Sequence, residues 1–438
     1  MDPYKLTATQ ALRLIREGTL TVESYARSLL SRIEARDSAV QAWAYLDPEY
    51  VLKQAKELDK IPLESRGPLH GVAVGVKDVI YTKDMPTEHN SPLYKSSQVP
   101  VDAASIAILR AAGALIFGKT TTTEFAATTA GPATRNPHNP ARTPGGSSSG
   151  SGAAVGDYQV PLALGTQTGG STIRPGSFNG IYALKPTWGA ISREGQKVYS
   201  LILDTIGFYA RAVEDLELLA EVFELRDDEA GKALEGVKGM KFGLVKTVVW
   251  PAAEEGTISA MSAAKELLQK HGAIVEEIDL PREFDNAPDW HAKIMAAAGR
   301  ASFLSEYRVD KGQIHELLID HVENAAGYSR KQQLEAFDGI AMLRPRIDEI
   351  ADRYAALITP SVPGEASLIS EGTGSAAFNC MWTALHTPVV NVPGFKGENG
   401  LPVGVSLVAA RCRDQHLLAV AKEVGKIFEA EGGWKRPE

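Results

Sequence analysis

The chain reads as an α/β protein, a mixed and twisted β-sheet covered on both faces by helices. Three observations predict this. Short runs such as GVAVGV (Gly71 to Val76), ALIFG (Ala114 to Gly118) and VGVSLVA (Val403 to Ala409) are apolar at nearly every position, as strands buried on both faces must be. Between such runs lie longer segments whose apolar residues recur at three- and four-residue intervals, the period of a helix with one buried face. Hydrophobic residues make up 44% and charged residues 23% of the 438, which supplies a sizeable core and excludes a disordered or fibrous chain.

Taken in order, Leu12, Ile15, Leu29, Leu30 and Ile33 predict a helical layer over about 1–60. GVAVGV then reads as a strand, Asp102 as the cap of a helix over AASIAILRAAG, and ALIFG as a second strand. From Thr128 to Gly152 the composition is dominated by Gly, Pro, Ser, Thr and Asn, which favours irregular backbone. An irregular stretch of that length in a compact protein is usually functional. VPLALG (Val160 to Gly165) and GIYALK (Gly180 to Lys185) read as strands, with helices near 211–224 and 257–270. The polar stretch 225–238 reads as a surface connection. Late strands are expected at ALIT (Ala356 to Thr359), PVVNV (Pro388 to Val392) and VGVSLVA, followed by a helix from Asp414 to about Ala430. With no internal repeat, and early and late segments sharing one core, residues 1–438 are expected to form a single domain.

The formal charge of -8 argues against a nucleic-acid surface, because phosphate binding needs a concentrated positive face. The two cysteines, Cys380 and Cys412, have no ligand-like spacing, so neither a disulfide framework nor a zinc site is expected. The N-terminal stretch MDPYKLTATQ lacks the apolar core of a signal peptide, and no run reaches the roughly 18 apolar residues needed to span a bilayer. These features predict a cytoplasmic protein that needs no cofactor or metal and acts on a small molecule, with a homodimer left open.

Two motifs match a pattern and fail its physics. GALIFGKT, Gly113 to Thr120, fits the phosphate-loop spacing, but its intervening Ala, Leu, Ile and Phe demand burial rather than backbone amides wrapped around phosphate. GSSSG, Gly146 to Gly150, fits the nucleophile elbow of α/β-hydrolases, with Ser148 in the nucleophile position. That elbow needs a strand before it, and NPHNPARTPG carries three prolines there.

Three further segments carry the chemistry: VGVKD with Lys77 and Asp78, PGGSSSGSG (Pro144 to Gly152), and GTQTGGSTIRP (Gly165 to Pro175). Lys77 precedes Ser147 by 70 residues, and Ser147 precedes Ser171 by 24. A serine hydroxyl is a poor nucleophile until a base takes its proton, and only His70 and His138 stand at the margins of these segments. Lysine is then the available base, provided burial among hydroxyls keeps it neutral. TGGS, Thr168 to Ser171, sets flexible glycines before the last serine, so that successive N–H groups can converge on one oxyanion.

In this order the segments resemble the amidase-signature family. The resemblance extends through PVDAASIAILRAAGALIFGKTTTTEFA, NPHNPARTPGGSSSG, ITPSVPG (Ile358 to Gly364) and GLPVGVSLV (Gly400 to Val408), nearly the whole chain. It implies the family's α/β/α fold and hydrolysis of an amide C–N bond through an acyl-enzyme. It further implies Ser171 as nucleophile, Ser147 as a bridging serine after a cis peptide, and Lys77 as base. Thr168, Gly169, Gly170 and Ser171 are then the expected oxyanion hole. Thr166, Gln167 and Arg174 are expected at the substrate, and Asp78 and Ser148 behind the reacting groups. Ser149 stands where Gly is more usual, Gln167 where most members carry Asp, and Thr172 places the arginine three residues after Ser171. The last two features are similar to malonamidase-like hydrolases of small carboxylated amides or carbamates. The alternatives are the glutaminase subunit of a tRNA-dependent amidotransferase and, outside the family, a nucleotide-binding protein using Gly113 to Thr120. Residues 285–350, where the resemblance is weakest, are expected to shape the substrate pocket.

Overall fold

A computed structural model describes residues 2–228 and 234–437. Its helices are α1 (Ala8–Arg16), α2 (Val22–Val40), α3 (Pro48–Asp59), α4 (Ala104–Ala111), α5 (Ser149–Gly156), α6 (Ile173–Phe178), α7 (Val213–Val222), α8 (Glu255–Lys270), α9 (Ala287–Ser302), α10 (Leu304–Asp310), α11 (Glu316–Glu323), α12 (Arg330–Ala351), α13 (Ala377–Ala384) and α14 (Asp414–Glu431). The strands are β1 (Trp43–Tyr45), β2 (Ala73–Lys77), β3 (Leu115–Thr120), β4 (Leu162–Gln167), β5 (Tyr182–Lys185), β6 (Thr205–Ala210), β7 (Lys241–Val245), β8 (Ile274–Ile278), β9 (Ala356–Pro360), β10 (Val389–Lys396) and β11 (Pro402–Val408).

All eleven strands join one mixed sheet in the order β1-β3-β2-β4-β6-β5-β10-β11-β9-β7-β8. Side-chain alternation divides each central strand between two cores. On β2 and β4, Val74, Val76, Leu162 and Leu164 face the core capped by α4, α7, α8 and α14. Ala73 and Ala163 face the other, built with α2, α5, α9, α12 and α13. Double-sided burial explains why these strands read as continuous apolar runs.

The structure departs from the sequence pattern at several places, each for a local reason. The N-terminal helical layer is interrupted by β1, three residues that pair antiparallel with β3 at the sheet edge and are too short to show a period. Strands β6, β7 and β8 carry no clear pattern: β8 is half exposed at the other edge, and β6 is broken by Gly207. A Cβ at Gly207 would meet Thr172 Oγ1 at 2.4 Å, so glycine lets β6 lie against the turn that carries Ser171. Asp102 does not cap α4, whose N-cap is Ala103 without a side-chain bond; it accepts from the Lys83 amide at 3.0 Å and pairs with Arg110 at 3.1 Å.

The Gly- and Ser-rich stretch is irregular only as far as Ser148. SGSGAAVG forms α5, wholly buried. Its composition is poor for a helix in water, and tertiary contact overrides propensity. Gly150 passes so close to the sheet that a Cβ would stand 2.1 Å from the Ala42 carbonyl oxygen. Small residues are the only ones that fit.

Candidate active site

Three chain segments meet at the centre of the sheet. Lys77 is the last residue of β2, which is flanked by the parallel strands β3 and β4. Ser147 lies two residues before α5 at the end of the irregular stretch, and the Gly146–Ser147 peptide is cis. Ser171 sits in the turn between β4 and α6.

Lys77 Nζ lies 2.7 Å from Ser147 Oγ and 2.7 Å from Thr166 Oγ1. Both neighbours are hydroxyls. Burial pushes the amine well below the ordinary lysine value; the Asp204 carboxylate opposes that shift and the Arg174 guanidinium adds to it. Asp78, next in sequence, is turned elsewhere: it pairs with Lys119 Nζ at 3.2 Å and accepts from the Glu88 amide. The nearest carboxylate in sequence therefore neutralises a different lysine.

The same pair disposes of the nucleotide reading. Lys119, the lysine of GALIFGKT, is buried in β3 and donates to Thr87 Oγ1 at 2.5 Å as well as to Asp78, and every residue of β3 is buried. Lys119→Met is expected to destabilise the fold by about 3 kcal/mol, because it leaves the Asp78 carboxylate buried without its partner. Chemical denaturation followed by circular dichroism checks this, and an unchanged midpoint would show that the pair adds nothing net.

Exposure orders the three residues. Ser171 keeps 9% of its surface open, Ser147 3% and Lys77 none, as expected for a proton route running inward from a reactive hydroxyl. Ser148 is excluded as a nucleophile because its Oγ is held by Thr166, donating to the carbonyl at 3.3 Å and accepting from the amide at 3.2 Å. No histidine hydrogen-bonds Ser147 or Ser171 among the described residues; His138 instead contacts the Asn179 carbonyl at 3.0 Å.

The loop 168–171 is braced through its carbonyls. His291 of α9 contacts the Thr168 carbonyl at 2.9 Å, Thr383 of α13 donates to the Gly169 carbonyl at 2.6 Å, and the Tyr209 hydroxyl donates to the Ser171 carbonyl at 3.0 Å. The N–H groups of Gly169, Gly170 and Ser171 make no hydrogen bond to a described residue. Unspent amides beside the serine that keeps the most exposure of the three are what an oxyanion requires.

Gln167 is not free to meet a substrate, contrary to the sequence expectation. Its Oε1 accepts from the amides of Thr172 and Ile173 at 2.8 and 3.0 Å, and its Nε2 donates to Thr383 at 2.9 Å. It ties the serine turn to α13. Thr166 likewise spends its hydroxyl on Lys77 rather than on a ligand.

Arg174 is buried, and its Nη2 donates to the Gly146 carbonyl at 2.5 Å and more distantly to Thr373 Oγ1 at 3.4 Å. No described carboxylate forms a salt bridge with it, and its Nε is buried without a partner. Burial lowers the guanidinium to about 10, leaving it cationic at neutral pH. It therefore braces the Ser147 segment and still carries an unpaired charge.

Pattern reading missed Asp204, His291, Thr383 and Tyr209, which come from distant segments and carry no local signature. His291 belongs to the 285–350 region, so α9 does reach the serine loop. Among the described residues no cluster of three or more His, Cys, Asp or Glu could hold a metal ion, and no helix is long and apolar enough to cross a membrane.

The family model for amidases matches residues 25–418. The chain belongs to the amidase family. A glutamyl-tRNA(Gln) amidotransferase subunit of Symbiobacterium thermophilum is 33% identical, over 96% of this chain and 96% of that one. A crystal structure of an amidase superposes with a TM-score of 0.87 at 28% identity, covering 97% of this chain and 100% of that chain. The glutamyl-tRNA(Gln) amidotransferase subunit of Thermotoga maritima superposes with a TM-score of 0.84 at 27% identity, covering 100% of this chain and 98% of that chain. These relatives carry amidotransferase and general amidase names, so the malonamidase-like closeness read from the nucleophile motif gains no support from them.

Proposed function

We propose that this amidase-family chain cleaves the C–N bond of an amide through an acyl-enzyme on Ser171. The observation that carries the reading is the buried Lys77 amine, 2.7 Å from Ser147 Oγ and surrounded by hydroxyls. In acylation, Ser171 Oγ attacks the carbonyl carbon while its proton passes to Ser147 and the Ser147 proton passes to Lys77. The carbonyl oxygen takes up the negative charge against the N–H groups of the 168–171 loop. The tetrahedral centre then collapses, the C–N bond breaks, and the proton returns from Lys77 through Ser147 to the leaving nitrogen. Water then takes the amine's place: it gives a proton through Ser147 to Lys77 and attacks the ester carbon, and on collapse the C–Oγ bond breaks and that proton returns through Ser147 to Ser171 Oγ, releasing the acid.

For the substrate, the proposed class is a small amide that carries a carboxylate. Arg174 supports it, since a buried guanidinium without a carboxylate partner, three residues after the nucleophile, suits an anionic group next to the scissile bond. Arg174→Ala is expected to lower kcat/KM selectively on a malonic half-amide, by about 1.5–3 kcal/mol more than on a neutral amide of similar size. Its bond to the Gly146 carbonyl predicts some loss on both substrates, so the difference is the readout. Equal losses would make Arg174 purely a brace.

A second reading is favoured by the names of the curated relatives: the ammonia-releasing subunit of a glutamyl-tRNA(Gln) amidotransferase. On substrate, those names weigh more than the nucleophile motif that suggested a free-standing small-amide hydrolase. Glutamine is itself a carboxylated primary amide, so the chemistry above applies unchanged. The partner expectation does change, because such a subunit works in a complex that handles tRNA, which a charge of -8 on this chain alone would not reveal. Affinity purification from the native host and ammonia release from glutamine separate the readings. Recovery of partner subunits with glutaminase activity supports the complex; hydrolysis of simple amides by the isolated chain, without partners, supports the free enzyme.

A further inference from the structure

We propose that Asp204 is a positioning residue for this site, whose carboxylate aligns the 168–171 loop through the Thr168 hydroxyl and sets a buried negative charge beside the Lys77 amine. The inference rests on Lys77 acting as the base.

Asp204 immediately precedes β6 and is almost completely buried. Its Oδ1 accepts from Thr168 Oγ1 at 2.7 Å and its Oδ2 from the Tyr199 amide at 2.7 Å. Its own amide donates to the Ser200 carbonyl at 3.0 Å, and its carbonyl accepts from Arg193 Nη1 at 3.0 Å. The carboxylate makes no salt bridge to a described residue. Such a group is costly to bury.

The end of β4 supplies the connection. Thr166, in the strand, holds Lys77 Nζ at 2.7 Å, and Thr168, the first residue beyond it, holds Asp204 at 2.7 Å. The amine and the carboxylate are thus tied to one strand end through residues two apart. Charged groups facing Lys77 are Asp204 and Arg174, of opposite effect, while Asp78 on its own strand is paired with Lys119. Burial raises the Asp204 carboxyl, and the bonds from Thr168, Tyr199 and Ser200 together with the Arg193 guanidinium oppose that and favour the carboxylate; the Lys77 amine is the other cation facing it, and the Tyr199 phenol lies nearby. Burial and Arg174 push Lys77 toward the neutral form; Asp204 limits how far. At the same time the Thr168 bond fixes the loop whose amides must meet the oxyanion.

The two roles separate experimentally. The readout is the rate at which a fluorophosphonate probe labels Ser171 as a function of pH, which needs no knowledge of the substrate. In the wild type the rate rises with pH as Lys77 loses its proton, and Lys77→Ala removes that rise. Asp204→Asn takes away the negative charge, so the ammonium is less stabilised and the midpoint moves to lower pH. Thr168→Val keeps the charge and loses the bond, so the plateau falls by about 10-fold while the midpoint stays. Asp204→Glu, which keeps the charge, holds the midpoint if the Asn variant does not fold. A midpoint unmoved or raised in Asp204→Asn, or displaced in Asp204→Glu, overturns the inference. A wild type whose labelling does not depend on Lys77 refutes instead the assignment of Lys77 as base.

Discussion

Ser171→Ala is expected to lose activity on the order of a millionfold, as when a serine hydrolase loses its nucleophile, and to form no covalent adduct. The reason is positional. Ser171 is the most exposed of the three serines in question, and it stands where the amides of Gly169, Gly170 and its own residue are unspent. Ser147 is deeper and engaged with Lys77; Ser148 is locked to Thr166 in both directions. Removing the outer hydroxyl therefore leaves no substitute within reach of both base and oxyanion donors. Intact-protein mass spectrometry after fluorophosphonate treatment, followed by peptide mapping, gives the answer. An adduct on Ser147 or Ser148 would reassign the nucleophile.

How much of this was legible without coordinates differs by kind of information. Lys77, Ser147 and Ser171 stand out in the sequence because each lies in a short segment of unusual composition and the three come in the order of the amidase-signature resemblance; the structure brings Lys77 and Ser147 into hydrogen-bond contact. Gly113 to Thr120 was correctly rejected as a phosphate loop, since its apolar interior foretold the buried β3. Gln167 is expected at the substrate on the family resemblance, whereas its side-chain Oε1 reaches forward to accept from the amides of Thr172 and Ile173. Local sequence does not say which way a side chain turns. Asp204, His291 and Thr383 were invisible for a related reason: each approaches the serine loop across the fold, and each is an ordinary residue in its own segment. Among the strands, β2, β3, β4, β5, β9, β10 and β11 were legible as apolar runs; β6 and β7 were not, although they are largely buried, and edge strands β1 and β8 were not, because too few of their positions face a core to create a pattern.

Lys77→Met is the complementary experiment, and its two outcomes are expected to run in opposite directions. Activity falls by about 10⁴-fold or more, since neither Ser147 nor Thr166 can hold a proton taken from Ser171. Stability falls little or rises, because the wild-type lysine is buried without a carboxylate partner and methionine fills similar volume without an amine to desolvate. Neighbouring hydroxyls lose one partner each, which offsets part of the gain. The pH dependence follows from the same group. A base acts in its neutral form, and a lysine whose value is held well below the ordinary one becomes neutral at correspondingly lower pH. Wild-type kcat/KM should therefore rise with pH through that lowered value and then level off, and the rise should vanish in the variant's residual activity. A thermal melt and a pH profile on the same preparations test both claims. If Lys77→Met were markedly destabilised yet retained a wild-type profile, the lysine would be a structural element, and the proton from Ser171 would have to leave by another route.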